Sequence, residues 1–144
     1  MGGRELNAVL LDTHALVWLL AGSDRLGANT RQALNDVASA AEILVSAISP
    51  WEIAMLVSKG RLAFDRDVAD WLRDAFALPG LRVVPLSTEI AVSSTRLPGV
   101  LPADPADRII VATARALDIE LVTADRPLLE YARAGHLKAR DATR

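Results

Sequence analysis

The chain has 144 residues, of which 51% are apolar and 24% charged, and none is cysteine. This length and composition predict one globular domain, residues 1–144, and argue against a disordered chain, a disulfide framework or a thiolate metal site. The formal net charge of −2 argues against a polycation that coats nucleic acid, and the longest apolar run, Ala15–Ala21, is too short to cross a bilayer. We therefore expect a cytoplasmic protein.

Strand-like and helix-like segments alternate along the chain, which is the pattern of a parallel α/β fold. The predicted strands are Ala8–Leu11, Ile43–Ser46, Arg82–Pro85, Ile119–Thr123 and, as a short strand at the sheet edge, Leu137–Ala139. The predicted helices are about His14–Leu20, Asn29–Ala41, Ser49–Gly60, Asp65–Leu78, Ser87–Arg96, Pro105–Leu117 and Pro127–Ala134. The expected fold is a three-layer α/β/α sandwich around a parallel sheet of four or five strands, with the first strand near its centre.

Four acidic residues, far apart in sequence, occupy similar places in this pattern. Asp12 and Asp125 follow apolar strands, Glu52 lies just beyond the second strand, and Asp107 opens a helical run. The carboxyl ends of parallel strands share one edge of a sheet, and ligands bind in the crevice there. Carboxylates gathered at that edge repel one another unless a cation lies between them, and hard divalent cations prefer oxygen ligands. The pattern indicates a metal-dependent enzyme.

Helix capping is the alternative explanation for three of these acids. Ser49 and Glu52 match a capping box, with a proline at the first helical position, and Asp104 and Asp107 approximate one. Asp125 precedes Arg-Pro and fits an N-cap equally well. Each cap contributes about 1 kcal/mol and needs no function. The two explanations are compatible, because a cap places the acid at the helix end nearest the strand exits.

Four blocks of the sequence resemble those of the PIN-domain nucleases, and in particular the VapC-type toxins of bacterial type II toxin–antitoxin systems. The blocks are LLDTHAL (10–16), SPWEI (49–53), DPADRII (104–110) and LVTAD (121–125). Each block alone is weakly specific, whereas four in this order and spacing, over nearly the whole chain, are specific.

The resemblance implies an endoribonuclease in which water activated by Mg²⁺, or by Mn²⁺ in its place, attacks the phosphodiester bond. It maps Asp12, Glu52, Asp107 and Asp125 onto the catalytic, metal-binding acids of the family. Asp104, one helical turn before Asp107, is a further candidate ligand, although N-cap is its expected role. The resemblance gives Thr123 a secondary role, which is to position a carboxylate or a water. Thr13 could have the same role, and a first-turn cap is an equal alternative for it.

The resemblance also implies partners: an RNA substrate, a small cognate antitoxin that blocks the site, and a second copy in a homodimer. Apolar side chains of two predicted helices are consistent with such surfaces and equally with a core: Trp18, Leu19, Trp51, Met55 and Leu56. For Trp18 and Trp51 we expect core packing or a partner interface rather than base stacking. His14 is not expected to act in acid–base chemistry, and for Arg108 a surface ion pair is at least as plausible as a phosphate contact.

Three other functions are weighed against this one. A PIN-fold nuclease outside toxin–antitoxin biology, acting on other RNA or on structured DNA, shares the same acids. A phosphotransfer domain of the haloacid-dehalogenase kind would use Asp12 but requires a second Asp two residues later, where this chain has His14. A non-catalytic binding module is disfavoured because all four acids are present.

Overall fold

The computed structural model describes residues 8–40 and 42–144. Its strands are β1 Val9–Leu11, β2 Ile43–Ser46, β3 Leu81–Val84, β4 Glu120–Thr123 and β5 Ala139–Asp141. Its helices are α1 Thr13–Ala21, α2 Ala28–Ala40, α3 Ile48–Ser58, α4 Val68–Ala75, α5 Thr88–Ser93, α6 Pro105–Leu117 and α7 Arg126–Arg133. Among the described residues, no helix is both long enough and apolar enough to span a bilayer.

The five strands form one sheet in the order β3-β2-β1-β4-β5, and every neighbouring pair is parallel. β1 is central: Leu10 pairs with Leu44 of β2 on one side and with Leu121 of β4 on the other. The predicted parallel sheet and the central position of its first strand are therefore confirmed. Because all strands run the same way, their carboxyl ends lie along a single edge.

Successive side chains of β1 point to opposite faces of the sheet, as the period of a strand requires. Val9 and Leu11 belong to one apolar cluster, which includes side chains of α1, α2 and α3. Leu10 belongs to a second cluster, which includes side chains of α6 and α7. Both faces of the sheet are thus covered by helices, which is the expected three-layer α/β/α arrangement.

Several element boundaries differ from the sequence prediction. The amphipathic helix begins at Val68 rather than at Asp65, because the side chain of Asp67 caps it by accepting a hydrogen bond from the Ala69 amide at 2.9 Å. β5 is shifted two residues towards the C-terminus. Leu137 is 9% exposed and packs in the core, and pairing with β4 begins only at Ala139. The predicted last residue of the second helix, Ala41, lies outside the described residues.

Candidate metal centre

A cleft of about 460 Å³ opens at the carboxyl edge of the sheet. All four acids singled out in the sequence line it, together with Asp104. The other lining residues are Thr13, His14, Trp18, Arg25, Met55, Leu56, Arg61 and Ala124. The expected convergence of the four acids on one site is therefore observed.

Asp12 follows β1 and is the N-cap of α1. Its Oδ1 accepts a hydrogen bond from the Ala15 amide at 2.8 Å, and its Oδ2 accepts one from the Thr123 hydroxyl at 2.5 Å. The side chain is buried, and this desolvation raises the pKa of Asp12 above its usual value against the opposing effect of the two hydrogen bonds. The capping role was missed in the sequence because no capping-box acid lies three residues on.

Asp125 occupies the N-cap position of α7, yet its carboxylate makes no capping hydrogen bond. Its backbone amide donates to the Thr123 hydroxyl at 3.0 Å, so Thr123 ties the backbone at Asp125 to the carboxylate of Asp12. Burial, followed by the nearby charge of Asp104, raises the pKa of Asp125. The Asp125 carboxylate therefore does not cap α7 and remains available to a ligand.

Glu52 lies in the first turns of α3 and is 8% exposed. The Thr13 hydroxyl donates to its Oε1 at 2.5 Å and also lies 3.0 Å from the Ser49 hydroxyl. Of the two alternatives given for Thr13, the first-turn cap is not observed, because its hydroxyl contacts a carboxylate and a second hydroxyl instead. Its contact links the start of α1 to the start of α3.

The predicted capping box at Ser49 is wrong. α3 begins at Ile48, and the Ser46 hydroxyl accepts a hydrogen bond from the Ile48 amide at 3.1 Å. Ser49 consequently lies inside the helix, fully buried, one turn from Glu52 on the same face. Pro50 is still tolerated, because the first amides of a helix have no intrahelical acceptor.

Asp104 and Asp107 mark the start of α6. As predicted, Asp104 is the N-cap and Pro105 is at the first helical position, with Asp104 Oδ1 accepting from the Asp107 amide at 2.9 Å. Glu52, Asp104 and Asp107 each offer a carboxylate oxygen, and these oxygens all lie within 4.8 Å of one another. Asp104 is thus both a cap and a member of the tightest group of acids among the described residues.

The close approach of the acids has an electrostatic consequence at Asp107, whose pKa rises from 3.8 to about 7. Desolvation is the first cause, and the charges of the other four acids of the cleft add to it. Asp12 and Asp125 line the same cleft but do not belong to the group whose carboxylate oxygens lie within 4.8 Å of one another. The cleft therefore carries an excess of negative charge that a proton or a cation can relieve.

The remaining candidates of the sequence analysis have distinct places. His14 is exposed and lines the cleft, with its ring 6.3 Å from that of Trp18. Trp18 is 9% exposed and packs in the core, whereas Trp51 is 55% exposed and does not. The Arg108 guanidinium donates to the backbone carbonyls of Ser94 at 3.0 Å and Leu101 at 2.9 Å, and within residues 8–40 and 42–144 it forms no ion pair.

Two cleft residues, Arg25 and Arg61, were not identified in the sequence. Both lie in turns that follow a helix, Arg25 three residues beyond Gly22 and Arg61 directly after Gly60. Isolated arginines in turns have no periodicity or motif that distinguishes them from solvated surface residues. Their place in the cleft follows from how the elements pack in the folded chain.

The comparisons with known proteins agree with this architecture. Residues 9–134 match the model of the PIN domain family. The chain is 37% identical to Ribonuclease VapC22 of Mycobacterium tuberculosis (strain ATCC 25618 / H37Rv) over 126 residues, which covers 88% of this chain and 93% of that protein.

Solved structures with the same fold include VapBC2 from Rickettsia felis bound to a DNA fragment from its promoter, with a TM-score of 0.66 and 19% identity over 92% of this chain and 97% of that one. A toxin–antitoxin complex from Klebsiella pneumoniae is also similar, with a TM-score of 0.54 and 24% identity over 81% of this chain and 86% of that one. With the family model matching most of its length, the chain belongs to the PIN domain family.

Proposed function

We propose that the chain is an endoribonuclease that hydrolyses RNA phosphodiester bonds with the aid of Mg²⁺, for which Mn²⁺ can substitute, and that it acts as the toxin of a type II toxin–antitoxin pair. The observation that carries the proposal is the group of carboxylate oxygens of Glu52, Asp104 and Asp107, all within 4.8 Å of one another. The relative that is 37% identical is named a ribonuclease, which supports the same reaction.

The acids of the cleft suit a hard divalent cation. Their donor atoms are all carboxylate oxygens, which Mg²⁺ and Mn²⁺ accept readily. The pKa of about 7 at Asp107 reflects desolvation first, and then charge repulsion from its acidic neighbours. A cation among these groups would relieve that repulsion, so the electrostatics of the cleft also favour metal binding.

Glu52, Asp104 and Asp107 would hold the cation, with Asp12 and Asp125 beside them. A bound divalent cation supplies Lewis acidity, which activates water and offsets the charge of the scissile phosphate. Hydrogen bonds from Thr123 and from the Ala15 amide hold both oxygens of Asp12, and Thr13 holds Oε1 of Glu52. These bonds fix the carboxylates before substrate arrives, which reduces the reorganisation that the reaction requires.

An antitoxin is part of the same proposal. A structure of similar fold is a toxin–antitoxin complex, and the apolar part of the cleft wall at the half-buried Met55 and Leu56 offers a surface that a small protein can cover. A homodimer is also proposed, with the exposed Trp51 of α3 as an apolar residue available to the second copy.

The reaction is tested with the purified chain, a 5′-labelled single-stranded RNA and a structured DNA in Mg²⁺. We expect cleavage of the RNA, no cleavage after chelation with EDTA, and no cleavage by the Asp107→Asn protein. Arg133→Gln, a substitution on α7 outside the cleft, is the matched control and should cut normally. Cleavage of the DNA alone would favour a PIN nuclease outside toxin–antitoxin biology, and cleavage of neither would contradict the proposal.

A further inference from the structure

Two arginines line the cleft together with its five acids. α1 starts next to Asp12 and is followed by Arg25, and α3 carries Glu52 near its start and is followed by Arg61. α1 has nine residues, so its ends are about 13 Å apart at 1.5 Å per residue. Both helices thus connect an acid of the cleft to a turn that carries a cleft arginine.

Arg25 is held in place by an aromatic ring. Its guanidinium carbon lies 4.7 Å from the centroid of the Trp18 ring, and Trp18 is itself packed in the core. The contact orients the guanidinium without using its N–H groups. Among the described residues, the Arg25 side chain has no ion pair and donates no hydrogen bond, so its donors remain available to a ligand.

Arg61 lies in the turn that ends α3. Its backbone amide donates to the Leu56 carbonyl at 2.9 Å, which ties the turn to the helix. Its guanidinium is exposed and, within residues 8–40 and 42–144, forms no ion pair. Although five acids line the same cleft, neither arginine is within ion-pair distance of any of them. The two cations therefore do not neutralise the acidic cluster.

We infer that Arg25 and Arg61 bind phosphates of the RNA strand next to the scissile one and so position the substrate across the acidic cluster. The inference rests on the proposed ribonuclease function. The carboxylates repel the phosphate that an RNA strand places among them. The neighbouring phosphates of the strand therefore need cations elsewhere along the cleft. Planar guanidinium groups suit phosphate oxygens, because they donate two hydrogen bonds side by side.

RNA is favoured over a protein ligand because the arginines line the same cleft as the carboxylates. Contacts to phosphates position the strand but do not read its bases. The arginines should therefore contribute to affinity for RNA of any sequence, while the rate of the chemical step depends on the acids. They are substrate-binding residues that do not touch the reacting atoms.

The inference is tested by two measurements on Arg25→Gln, Arg61→Gln and the double variant, with Arg133→Gln as a control for the same loss of charge outside the cleft. In Mg²⁺, the cleft variants should raise KM for RNA and leave kcat close to its wild-type value. Binding is measured separately by fluorescence anisotropy of a short labelled single-stranded RNA, in an Asp107→Asn background that does not cut it. The slope of log K against log salt is negative, and each lost phosphate contact should reduce its magnitude by about 0.7.

Arg25→Lys keeps the positive charge over Trp18 and should therefore keep the wild-type salt slope. If Arg25 served only to pack on Trp18, Arg25→Gln would lower the melting temperature and leave the salt slope unchanged. Equal salt slopes and equal KM values for the cleft variants and the Arg133→Gln control would overturn the inference. If the wild-type chain cuts no RNA, the proposed function fails, but the anisotropy slopes still decide whether these arginines bind the strand.

Discussion

The Thr123 hydroxyl donates a 2.5 Å hydrogen bond to Oδ2 of Asp12, 111 residues away in sequence, and accepts one from the Asp125 amide at 3.0 Å. A single side chain at the end of β4 thus connects two acids of the cleft. Thr123 is fully buried, so water cannot easily replace its hydroxyl as the hydrogen-bond partner of the two acids.

Thr123→Val should lower kcat and destabilise the fold, because valine keeps the shape but removes a partner from the buried Asp12 carboxylate, at about 1–3 kcal/mol, and another from the part-buried Asp125 amide. Thr123→Ser retains the hydroxyl and should restore most of both properties. The control is Thr113→Val: Thr113 is equally buried, but its hydroxyl donates to the Ile109 carbonyl inside α6, away from the acids. Cleavage kinetics and thermal unfolding are the measurements, and unchanged kcat in Thr123→Val would show that this hydroxyl does not position Asp12.

Asp104 has two roles that substitution can separate. Asp104→Asn should leave the melting temperature of the metal-free protein nearly unchanged, since asparagine is as good an N-cap as aspartate. The same change removes a carboxylate from the group with Glu52 and Asp107, so more Mg²⁺ should be needed for half-maximal cleavage. Asp104→Ala should show this defect together with a loss of about 1 kcal/mol in the free energy of unfolding. A normal Mg²⁺ requirement in Asp104→Asn would leave capping as its only role.

Arg108 should behave as a structural residue. Its guanidinium joins Ser94, at the end of α5, to Leu101 in the loop that leads into Asp104. Arg108→Met should lower the melting temperature and increase hydrogen exchange in residues 97–104, because two buried carbonyls lose charged donors. It should not change the salt dependence of RNA binding. A reduced salt slope, like that expected for Arg25→Gln, would instead indicate a phosphate contact.

The metal-free protein should lose stability as pH rises through the neutral range. The pKa of Asp107 is about 7 in the folded state against 3.8 as the reference value. Between these two values the folded state holds a proton that the unfolded state has released, so the free energy of unfolding falls as pH rises. The raised pKa values of Asp12 and Asp125 act in the same direction.

Thermal unfolding in EDTA between about pH 5 and pH 8 measures this effect, and Asp107→Asn should reduce the slope. Adding Mg²⁺ should stabilise the protein more at pH 8 than at pH 5, because protons compete for the same carboxylates. If the Asp107→Asn melting curves followed those of the wild type at every pH, the pKa of Asp107 would not be raised.

The sequence was most informative where helix signals are local. α6 was predicted with its observed bounds, because Asp104 caps it and Pro105 begins it, and α1 ends at Gly22, which adopts the αL conformation, close to the predicted end of that helix. The strand positions followed from short apolar runs. The edge strand β5 was misplaced, because the apolar Leu137 is buried against side chains of α7 and does not pair with β4.

The contacts between acids could not be predicted, because they depend on how separate elements pack. Ser49 fitted a capping pattern, and only the earlier start of α3 turns it towards Thr13. Likewise, no local signal indicates that Thr13 reaches Glu52, 39 residues away, or that Arg25 lies over Trp18. These relationships are tertiary contacts, and local sequence patterns do not predict them.

The central claim is that the acidic cluster binds a divalent cation required for RNA cleavage. The most direct test is calorimetric titration of Mg²⁺ and Mn²⁺ into the wild-type chain and into Asp107→Asn, with RNA cleavage followed in the same buffers. We predict saturable binding of both ions to the wild type, greatly weakened binding to the variant, and cleavage that rises with occupancy and stops in EDTA. Equal binding to both proteins, or no binding together with cleavage that persists in EDTA, would contradict the account.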